Sequence, residues 1–326
     1  MHKFQNKSIL ITGGTGFFGQ SFLSYCINNK IKFKKLIILS RDEFKQYEMQ
    51  KIYPQSKHKF LRFFLGDIRD SQRLMTAFSE VDYVVHAAAL KHVPAAEYNP
   101  LEFIKTNIYG SQNIIEAAIF NNVKRVVALS TDKAASPLNL YGATKLCSEK
   151  LFISANNLIG NKNVHFSCVR YGNVLGSRGS VLPLFLDQDK NQNHFTITND
   201  QMTRFNIMIN EAIEMVLYTL KNKKNIDILI PKIPSIKITD LAKAINPNKK
   251  IKYTGIRPGE KLHEELLTME ESLKAYEFGK FYILTDNKKI QLKYKKANLK
   301  FGYNSKDNNF LNIAQIKNLI KKFKSK

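Results

Sequence analysis

Short apolar, β-branched runs alternate with amphipathic stretches along the first half of the chain. The runs Ser8 to Thr12, Leu36 to Leu39 and Arg125 to Leu129 have the length and continuous apolar character of buried strands. Similar runs at about 60–65, in YVVH before Ala87, and at about 166–171 extend the series. Because strands that alternate with helices build parallel sheets, the pattern predicts an α/β fold with a doubly wound parallel sheet.

A glycine-rich turn follows the first of these runs. Gly13, Gly16 and Gly19 recur at three-residue spacing and open an amphipathic segment that extends to about Asn29. A side chain at such positions would block both the tight turn and the approach of backbone N–H groups to a pyrophosphate at the helix N-terminus. A strand, this turn and a helix, in that order, are typical of a dinucleotide-binding site.

The end of the second run bears on which dinucleotide binds. An acid at this place usually holds the ribose hydroxyls of NAD, whereas an arginine can pair with a 2′-phosphate. Because Arg41 stands in the sequence Ser40-Arg41-Asp42, we predict NADP. The alternative is that Arg41 and Asp42 are only charges at the start of the next helix. Asp67, after the third run, could accept a hydrogen bond from the adenine amino group.

The segment Ser130 to Lys145 places an acid, an amine and a phenol in one loop and the start of one helix. It leaves the carboxyl end of a predicted strand, which is where open α/β sheets bind their ligands. Tyr141 and Lys145 stand four apart on the predicted helix, so their side chains share a face and the lysine can acidify the phenol. With Asp132 and Lys133 just before them, this segment is the predicted active site.

The spacing of Tyr141 and Lys145 is not specific by itself. The same Tyr-x-x-x-Lys pattern recurs at Tyr47/Lys51, at Tyr53/Lys57 and at Tyr276/Lys280. Only the pair at 141 and 145 follows a strand and Ser130-Thr131 downstream of a glycine-rich turn. Without that context the pair would indicate a solvated helix face.

Length and composition predict two lobes. A chain of 326 residues with 44% hydrophobic content can bury a large core. We place a Rossmann-type NADP-binding domain at 1–171, with a contribution from about 206–231, and a smaller C-terminal substrate-binding lobe at 172–205 and 232–326. Three cysteines without paired spacing, and no stretch near the ~20 apolar residues of a membrane span, predict a cytoplasmic protein without a membrane partner. The seven histidines lack metal-ligand spacing, so no metal is expected, and His86 is expected to be a core or loop residue.

The formal charge of +24 is compatible with a nucleic-acid partner. Lysine is nevertheless spread through nearly every polar segment, and no basic stretch is interleaved with aromatic residues as in a stacking platform. We therefore expect a solvated surface and no nucleic-acid partner. Arginines in less regular, Gly- and Pro-punctuated sequence, namely Arg204 and Arg257, are candidates to clamp a diphosphate, the alternative being plain surface charge. Arg178 stands in a further glycine-rich loop.

Short motifs between about Lys7 and Leu267 together resemble a known family. They are TGGTGFFG, SRDEFKQYEM, GDIRD, HAAALKHVPAAEYNP, STDKAASPLNLYGATK, RYGNVLGSRGSV, MTRF, IPKIPS and IRPGEKLHE. The set resembles the extended short-chain dehydrogenase/reductases, and closely the UDP-N-acetylglucosamine 4,6-dehydratases (inverting) of the pseudaminic acid pathway. Thr131-Asp132-Lys133 matches that subgroup, whereas related dehydratases carry Thr-Asp-Glu. Retaining dehydratases and C5-epimerising enzymes tend to carry Met where this chain has Tyr141. Phe17 and Asn206 depart from the family's usual Ser and Trp.

The resemblance implies a UDP-sugar substrate, NADP and a homo-oligomer, a hexamer in the family. It implies that Asp132, Lys133 and Tyr141 are catalytic. With the glycines of the turn, the implied cofactor-binding residues are Gly13, Thr15, Gly16, Phe17, Phe18, Gly19, Ser40, Arg41, Asp42, Glu43, Phe44, Lys45, Asp67, Ile68, Ala87, Lys91, Leu129, Ser130, Tyr141, Lys145 and Val174. The implied substrate-binding residues are Lys91, Asn173, Arg204, Arg257 and Glu260.

In the family's reaction, hydride leaves C4 of the sugar for the nicotinamide and returns to C6, while Tyr141 as phenolate takes the C4 hydroxyl proton. A neutral Lys133 would remove the C5 proton, and a protonated Asp132 would let the C6 hydroxyl leave as water. Nearby positive charge is expected to lower the pKa of Tyr141 and of Lys133. The alternative among enzymes is a retaining 4,6-dehydratase or a C5 epimerase. The alternative outside enzymes is a cofactor-sensing or nucleic-acid-binding protein on the same scaffold.

Overall fold

The computed structural model describes residues 4–177, 179–222 and 224–324, so Arg178 lies outside the described residues. The chain forms two compact units. The first comprises the chain up to Ser130, Leu140–Val169 and Ile213–Leu229; the second comprises Thr131–Asn139, Arg170–Ala212 and the chain from Ile230 onward. Residues 131–139 therefore group with the second unit, although the sequence boundaries placed them in the first lobe. The assignment of cofactor and substrate to separate lobes stays a prediction.

The strands are short and lie in both units. In chain order they are β1 (Ser8–Thr12), β2 (Lys35–Ser40), β3 (Leu61–Leu65), β4 (Tyr83–His86), β5 (Arg125–Leu129), β6 (His165–Val169), β7 (Asn173–Val174), β8 (His194–Ile197), β9 (Thr203–Ile207), β10 (Ile228–Pro231), β11 (Ser235–Lys237), β12 (Lys250–Tyr253), β13 (Glu265–Leu267), β14 (Ala275–Phe278), β15 (Phe281–Leu284) and β16 (Tyr303–Asn304).

The helices include one π-helical turn, Ile104–Tyr109, and one 3₁₀ turn, Asp132–Ala134. The α-helices are α1 (Phe17–Asn28), α2 (Glu43–Ile52), α3 (Ser71–Ala77), α4 (Val93–Tyr98), α5 (Pro100–Phe103), α6 (Gly110–Phe120), α7 (Leu140–Ala155), α8 (Val181–Asn191), α9 (Ile209–Lys221), α10 (Ile238–Ile245), α11 (Met269–Ser272), α12 (Lys288–Gln291) and α13 (Ile313–Lys324).

The first unit is built on a parallel sheet whose strand order is β6-β5-β4-β1-β2-β3. Ile228 and Leu229 of β10 pair in parallel with β6 and extend that edge. The central residues Ile9, Leu10 and Ile11 of β1 are fully buried, as their apolar run predicts. This sheet confirms the predicted doubly wound α/β fold. The order reverses between β1 and β4, so the carboxyl ends of these two strands flank the crevice in which such sheets bind ligands.

The sequence predicts a helix from Asn107 to Asn121, but the start of this stretch is not regular α-helix, and the side-chain amide of Asn107 is buried there. The chain instead makes the π-helical turn and then α6. The Asn107 side chain accepts a hydrogen bond from Leu90 N and donates to Leu90 O, both at 2.9 Å. It also donates to Thr144 Oγ1 at 3.0 Å. The loop after β4 is thus tied to the helices behind it. Gly110 is the predicted close-packing point, because a Cβ there would lie 2.6 Å from Ile68 Cδ1.

The second unit has its own apolar core. Leu182 and Phe185 of α8 pack with Leu241 of α10 and with Ile316 and Ile320 of α13. Residues 312–323 have the apolar spacing of a helix, and α13 forms over this stretch. Small sheets surround this core, with β9 between antiparallel β11 and parallel β7, β8 beside β12, and β13 beside β16.

Candidate active site

The glycine-rich turn between β1 and α1 has no room for side chains. Gly13 has a φ of 63°, and a Cβ on it would lie 2.8 Å from Ala88 Cα in the loop after β4. A Cβ on Gly19 would lie 2.3 Å from Gly14 O. Both glycines are therefore required, one by backbone conformation and contact and the other by contact alone.

The start of α1 fits an anionic group. Gly16 is the N-cap residue, and within the described part of the chain no side chain caps this helix start. The first N–H groups of a helix need acceptors, and the helix dipole favours a negative charge there. Thr15 Oγ1 lies 2.7 Å from Ser40 Oγ, which connects this turn to the end of β2. These features fit the pyrophosphate of a dinucleotide.

The Asp42 carboxylate, just after the end of β2, already has hydrogen-bond and ion-pair partners in the protein. Asp42 caps α2 by accepting a hydrogen bond from Lys45 N at 2.9 Å, and its other oxygen is ion-paired with the Lys45 ammonium. These hydrogen bonds hold the pKa of Asp42 below its ordinary value. Arg41 is exposed, and its guanidinium lies 3.6 Å from Asp67 Oδ2. The acid that would hold a ribose hydroxyl in an NAD site is thus engaged, and two cations flank it.

Asp67 has a partner within the protein. Both its carboxylate oxygens accept hydrogen bonds from Arg69, at 2.8 to 3.1 Å. Burial raises the pKa of Asp67, but the hydrogen bonds from Arg69 outweigh it, so the net pKa is lowered. A contact between Asp67 and an adenine amino group stays a prediction.

The remaining predicted cofactor residues differ in placement. Ser130 is buried, donates from its N–H to Val169 O at 2.7 Å, and has an Oγ without a hydrogen-bond partner among the described residues. Lys91 is exposed in the loop after β4. Val174 belongs to the second unit. Phe17, Phe18 and Ala87 are half-buried, Ile68 is buried, Leu129 ends β5, and Glu43 and Phe44 are exposed on the first turn of α2.

His86, at the end of β4, is a satisfied core residue as predicted. Its Nδ1 lies 2.9 Å from Thr12 Oγ1, and its ring packs against Phe152 of α7 with centroids 5.5 Å apart. Burial, with a smaller contribution from the charge of Lys145, lowers the pKa of His86 to about 3. The imidazole is therefore neutral at physiological pH.

Helix α7 begins one residue before Tyr141, so Tyr141 and Lys145 lie on one helix as predicted. Glu97 accepts a hydrogen bond from Leu140 N at 2.9 Å and satisfies the start of this helix. Lys145 is 5% exposed, and burial lowers the pKa of its amine. An amine held out of water in this way responds strongly to nearby charge. Its effect on the Tyr141 phenol stays a prediction.

The second unit contains a buried charged cluster built around Lys133. The 3₁₀ turn that carries Asp132 and Lys133 is capped by Thr131, and Asp132 N donates to Tyr171 O at 3.1 Å. Lys133 Nζ lies 2.9 Å from Asp132 Oδ1 and 3.3 Å from Asn173 Oδ1. The structure therefore brings together the predicted acid, the predicted base and a predicted substrate residue.

The protonation of this pair differs in part from the prediction. Burial raises the pKa of Asp132, although the charge of Lys133 opposes this shift. The role of Asp132 as a proton donor stays a prediction. Burial alone would lower the pKa of Lys133, but the carboxylates of Asp132 and Glu264 outweigh it and the net pKa is raised. The predicted lowering of the Lys133 pKa is thus wrong for the chain as it stands, because two carboxyl groups face the amine.

Arg204 lies beside the same cluster. Its guanidinium donates to the carbonyls of Thr203 and Leu262, at 2.7 and 3.0 Å, and lies 3.5 Å from Glu260 Oε1. Arg257 N donates to the other oxygen of Glu260 at 3.4 Å. The predicted substrate residues Arg204, Arg257 and Glu260 are therefore connected, and Arg204 is buried rather than extended into solvent.

Glu264 is the residue that the sequence reasoning missed. It is buried, and its Oε1 lies 3.1 Å from Lys133 Nζ and 3.8 Å from Arg204 Nε. The pKa of Glu264 would rise on burial, but the charges of Lys133 and Arg204 hold it below the ordinary value. The signal was present in the sequence, because Glu264 stands in the IRPGEKLHE motif just before the apolar strand β13. A carboxylate entering a buried strand needs a cationic partner.

Two further findings apply to the described ranges. None of their helices is both long and apolar enough to cross a membrane. No group of three or more His, Cys, Asp or Glu in them could hold a metal ion.

The parallel sheet, the glycine-rich turn and the strand order define a Rossmann-type α/β protein. The family model described as "Polysaccharide biosynthesis protein" matches residues 9–286. The chain therefore belongs to the polysaccharide biosynthesis protein family.

The chain is also similar to individual relatives and to a solved structure. A UDP-N-acetylglucosamine 4,6-dehydratase (inverting) from Campylobacter jejuni is 51% identical over 288 residues, which cover 88% of this chain and 85% of that protein. A UDP-glucose 4-epimerase from Rickettsia bellii is 41% identical over 97% of this chain and 96% of its own length. The X-ray structure of Pen from Bacillus thuringiensis superposes with a TM-score of 0.89 at 40% identity, covering 98% of this chain and 99% of that one. The resemblance to the inverting dehydratases is thereby confirmed.

Proposed function

We propose that the protein is an NADP-dependent UDP-N-acetylglucosamine 4,6-dehydratase that inverts C5, giving a UDP-2-acetamido-2,6-dideoxy-L-arabino-hexos-4-ulose. The observation that carries the proposal is the buried contact between Asp132 and Lys133, in a loop that follows β5 and leads into Tyr141 at the start of α7. The 51% identical relative of that name supports the same activity. The resemblance extends the proposal to a cytoplasmic homo-oligomer, a hexamer, that catalyses the first step of pseudaminic acid-type nonulosonate synthesis.

NADP would be held by the first unit. The N–H groups at the glycine-rich turn would bind its pyrophosphate. Arg41 and Lys45 would pair with its 2′-phosphate, because the Asp42 carboxylate is committed to capping α2. When bound, NADP supplies a hydride acceptor that takes hydride from C4 and returns it to C6, so it need not leave between turnovers.

Three side chains would move the protons. Tyr141 takes the proton of the C4 hydroxyl, and the resulting 4-ketone acidifies the C5 proton. Because the facing carboxylates raise its pKa, Lys133 would first have to lose a proton; the neutral amine would then remove the C5 proton while Asp132 donates a proton to the C6 hydroxyl, which leaves as water. Asp132 suits this role because its Oδ2 is buried and makes no hydrogen bond within residues 4–177, 179–222 and 224–324. A proton returned to C5 on the opposite face inverts that centre.

The substrate residues would fix the sugar nucleotide. Asn173 accepts a hydrogen bond from Lys133, so a sugar bound at Asn173 would lie within reach of the base. Arg204 and Arg257 would balance the diphosphate, with Glu260 orienting the guanidinium of Arg204 and accepting from the backbone N–H of Arg257. Lys91 would add a further cation.

Incubation with UDP-N-acetylglucosamine in deuterated water, followed by NMR, tests the proposal. We expect loss of water, a 6-deoxy-4-keto product with deuterium at C5, and the L-arabino configuration. A product with retained C5 configuration would indicate a retaining dehydratase, and inversion at C5 without loss of water would indicate a C5 epimerase; either would overturn the proposal. The 4-epimer of the substrate, without loss of water, would contradict it as well.

The cofactor assignment has its own test. Arg41→Ala should lower the preference for NADP over NAD by about tenfold to hundredfold, because a charge-assisted hydrogen bond contributes about 1.5–3 kcal/mol. Lys51→Ala, at the other end of α2, is the matched control and should leave the preference unchanged. Equal loss of affinity for both cofactors in Arg41→Ala would show that Arg41 does not contact a 2′-phosphate.

A further inference from the structure

We propose that Glu264 is a positioning residue that fixes the amine of Lys133 against Asp132 and Asn173. The proposal rests on the proposed role of Lys133 as the base. It adds a residue that neither the motif pattern nor the proposed reaction assigns.

Each of the three N–H donors of the Lys133 ammonium has an acceptor nearby. Asp132 Oδ1, Glu264 Oε1 and Asn173 Oδ1 lie at 2.9, 3.1 and 3.3 Å. A lysine ammonium has three N–H donors, so these three acceptors satisfy it completely. Asp132 is the neighbour of Lys133 in sequence and follows its backbone. Glu264 and Asn173 come from other segments, and they therefore determine where the amine points.

Glu264 also differs from Glu271, the half-buried carboxylate that pairs with buried Arg170 in the same unit. Arg170 and Glu271 make a bidentate pair at 2.6 and 2.9 Å, and Glu271 completes the capping box of α11, so both of its oxygens are used. Glu264 uses Oε1 only, and in the described part of the chain its Oε2 has no hydrogen-bond partner although the residue is 2% exposed. A buried carboxylate oxygen without a partner is costly for stability. Among the described residues Asp132 Oδ2 and Glu265 Oε2 are also buried without a partner, so it is the contact of Glu264 Oε1 with the Lys133 amine that distinguishes Glu264.

The charges that face Lys133 set the direction of its titration. Asp132 and Glu264 stabilise the ammonium, Arg204 destabilises it, and Lys261 acts on Glu264 from the same segment. Removal of the Glu264 charge therefore favours the neutral amine. The base would form at lower pH, but it would no longer be held toward C5.

Glu264→Gln and Glu264→Asp test the proposal, with Glu265→Gln as the matched control one residue along. We expect Glu264→Gln to lower kcat by about 10²-fold through misplacement of the amine. We also expect the rising limb of its pH–rate profile for C5 deuterium incorporation to shift down by at least about one pH unit. Glu264→Asp, which keeps the charge, should restore the wild-type limb in part, and Glu265→Gln should retain the wild-type profile. KM for the sugar nucleotide should stay near wild type in all variants.

A lower kcat in Glu264→Gln with an unmoved pH limb would reduce Glu264 to a structural residue and overturn the proposal. If Glu264→Gln does not fold, the same profile is read on Glu264→Asp, whose longer gap to the amine should give a smaller shift in the same direction; an unmoved limb there also overturns it. Crystal structures provide a readout that does not depend on activity. If Lys133 Nζ in Glu264→Ala, which removes the acceptor, still lies within hydrogen-bond distance of both Asp132 and Asn173, the proposal is wrong, whether or not the wild-type protein dehydrates UDP-N-acetylglucosamine.

Discussion

Helices α2 and α7 carry the same Tyr-x-x-x-Lys spacing in different surroundings. On α2, Tyr47 is 55% exposed, and Lys51 lies over its ring at 4.2 Å while ion-paired with Glu48. On α7, Tyr141 is half-buried and Lys145 is buried. The pair on α2 contributes only weak surface contacts. The pair on α7 combines a half-buried phenol with a buried amine, at which water screens charge only weakly. Burial, and not spacing, distinguishes a candidate site from a solvated helix face.

The surroundings of the two helices explain this difference. Helix α2 begins at a half-buried cap, Asp42, and buries little more than Gln46 and Met49. Helix α7 buries Thr144, Ser148 and Glu149 along with Lys145, and Ser148 Oγ lies 2.8 Å from Ser111 Oγ of α6. Polar groups in the interior must be paired, so α7 is held by a specific network. The predictions below test this comparison.

The largest expected effect is that of Tyr141→Phe. Loss of the phenol removes the proposed acceptor of the C4 proton and should lower dehydratase turnover by about 10³-fold, or about 4 kcal/mol of barrier. Tyr47→Phe has the same change on α2 and should retain wild-type turnover. Product formation by NMR gives both rates. Similar activity in the two variants would remove the distinction between the helices.

Lys145→Met should have the next largest effect. We expect turnover to fall by about 10²-fold because the phenolate of Tyr141 loses its neighbouring charge. The free energy of unfolding should not fall in parallel, because an apolar side chain replaces a buried cation. Lys51→Met is the control on α2 and should keep wild-type turnover. A matching loss of stability and activity in Lys145→Met would instead make Lys145 a structural residue.

Acid should weaken the packing behind α7 through His86. Its folded-state pKa of about 3 is lower than the ordinary value of 6.5, so below pH 6.5 the unfolded chain binds a proton that the folded chain does not. Stability is therefore full above pH 6.5 and falls as the pH decreases, by about 2 kcal/mol between pH 7 and 5. Urea unfolding of wild type and His86→Asn gives this contribution as the difference in pH dependence. Thr12→Val, which removes the hydrogen bond but keeps the imidazole, should retain the pH dependence.

The smallest expected effect lies on α2. Asp42→Ala removes the side-chain acceptor of Lys45 N and should lower the free energy of unfolding slightly. Asp42→Asn keeps a capping oxygen and should lose less. Urea unfolding measures both variants. An equal loss in the two would show that the charge of Asp42, rather than its capping hydrogen bond, stabilises α2.

Buried parallel strands were predictable because continuous apolar runs identify them. The runs at β1 and β5 match the observed strands, and β2 extends its run by one residue at each end. The start of the helix near Asn107 was not predictable, because hydrogen bonds to Leu90 accompany a π-helical turn there. Spacing within a helix carries no information about such a distant partner.

The sequence predicted which residues form the candidate site better than it predicted their protonation states. Asp132, Lys133 and Asn173 come together as the motifs suggest, and His86 is the expected core residue. The predicted pKa shift of Lys133 was wrong because the pKa depends on Glu264, which comes close to the amine only in the folded second unit. Proton affinities depend on every nearby charge, and a linear sequence does not give these distances.

The amide of Asn107 gives Leu90 the two hydrogen bonds that an adjoining strand would give a residue in a sheet. Few substitutions at position 107 would therefore keep both hydrogen bonds. Aspartate there would present an acceptor to the Leu90 carbonyl, and glutamine would be one methylene too long. Deamidation of Asn107 would have the same consequence as the aspartate mutation. The loop that carries Lys91 therefore depends on the Asn107 amide remaining intact.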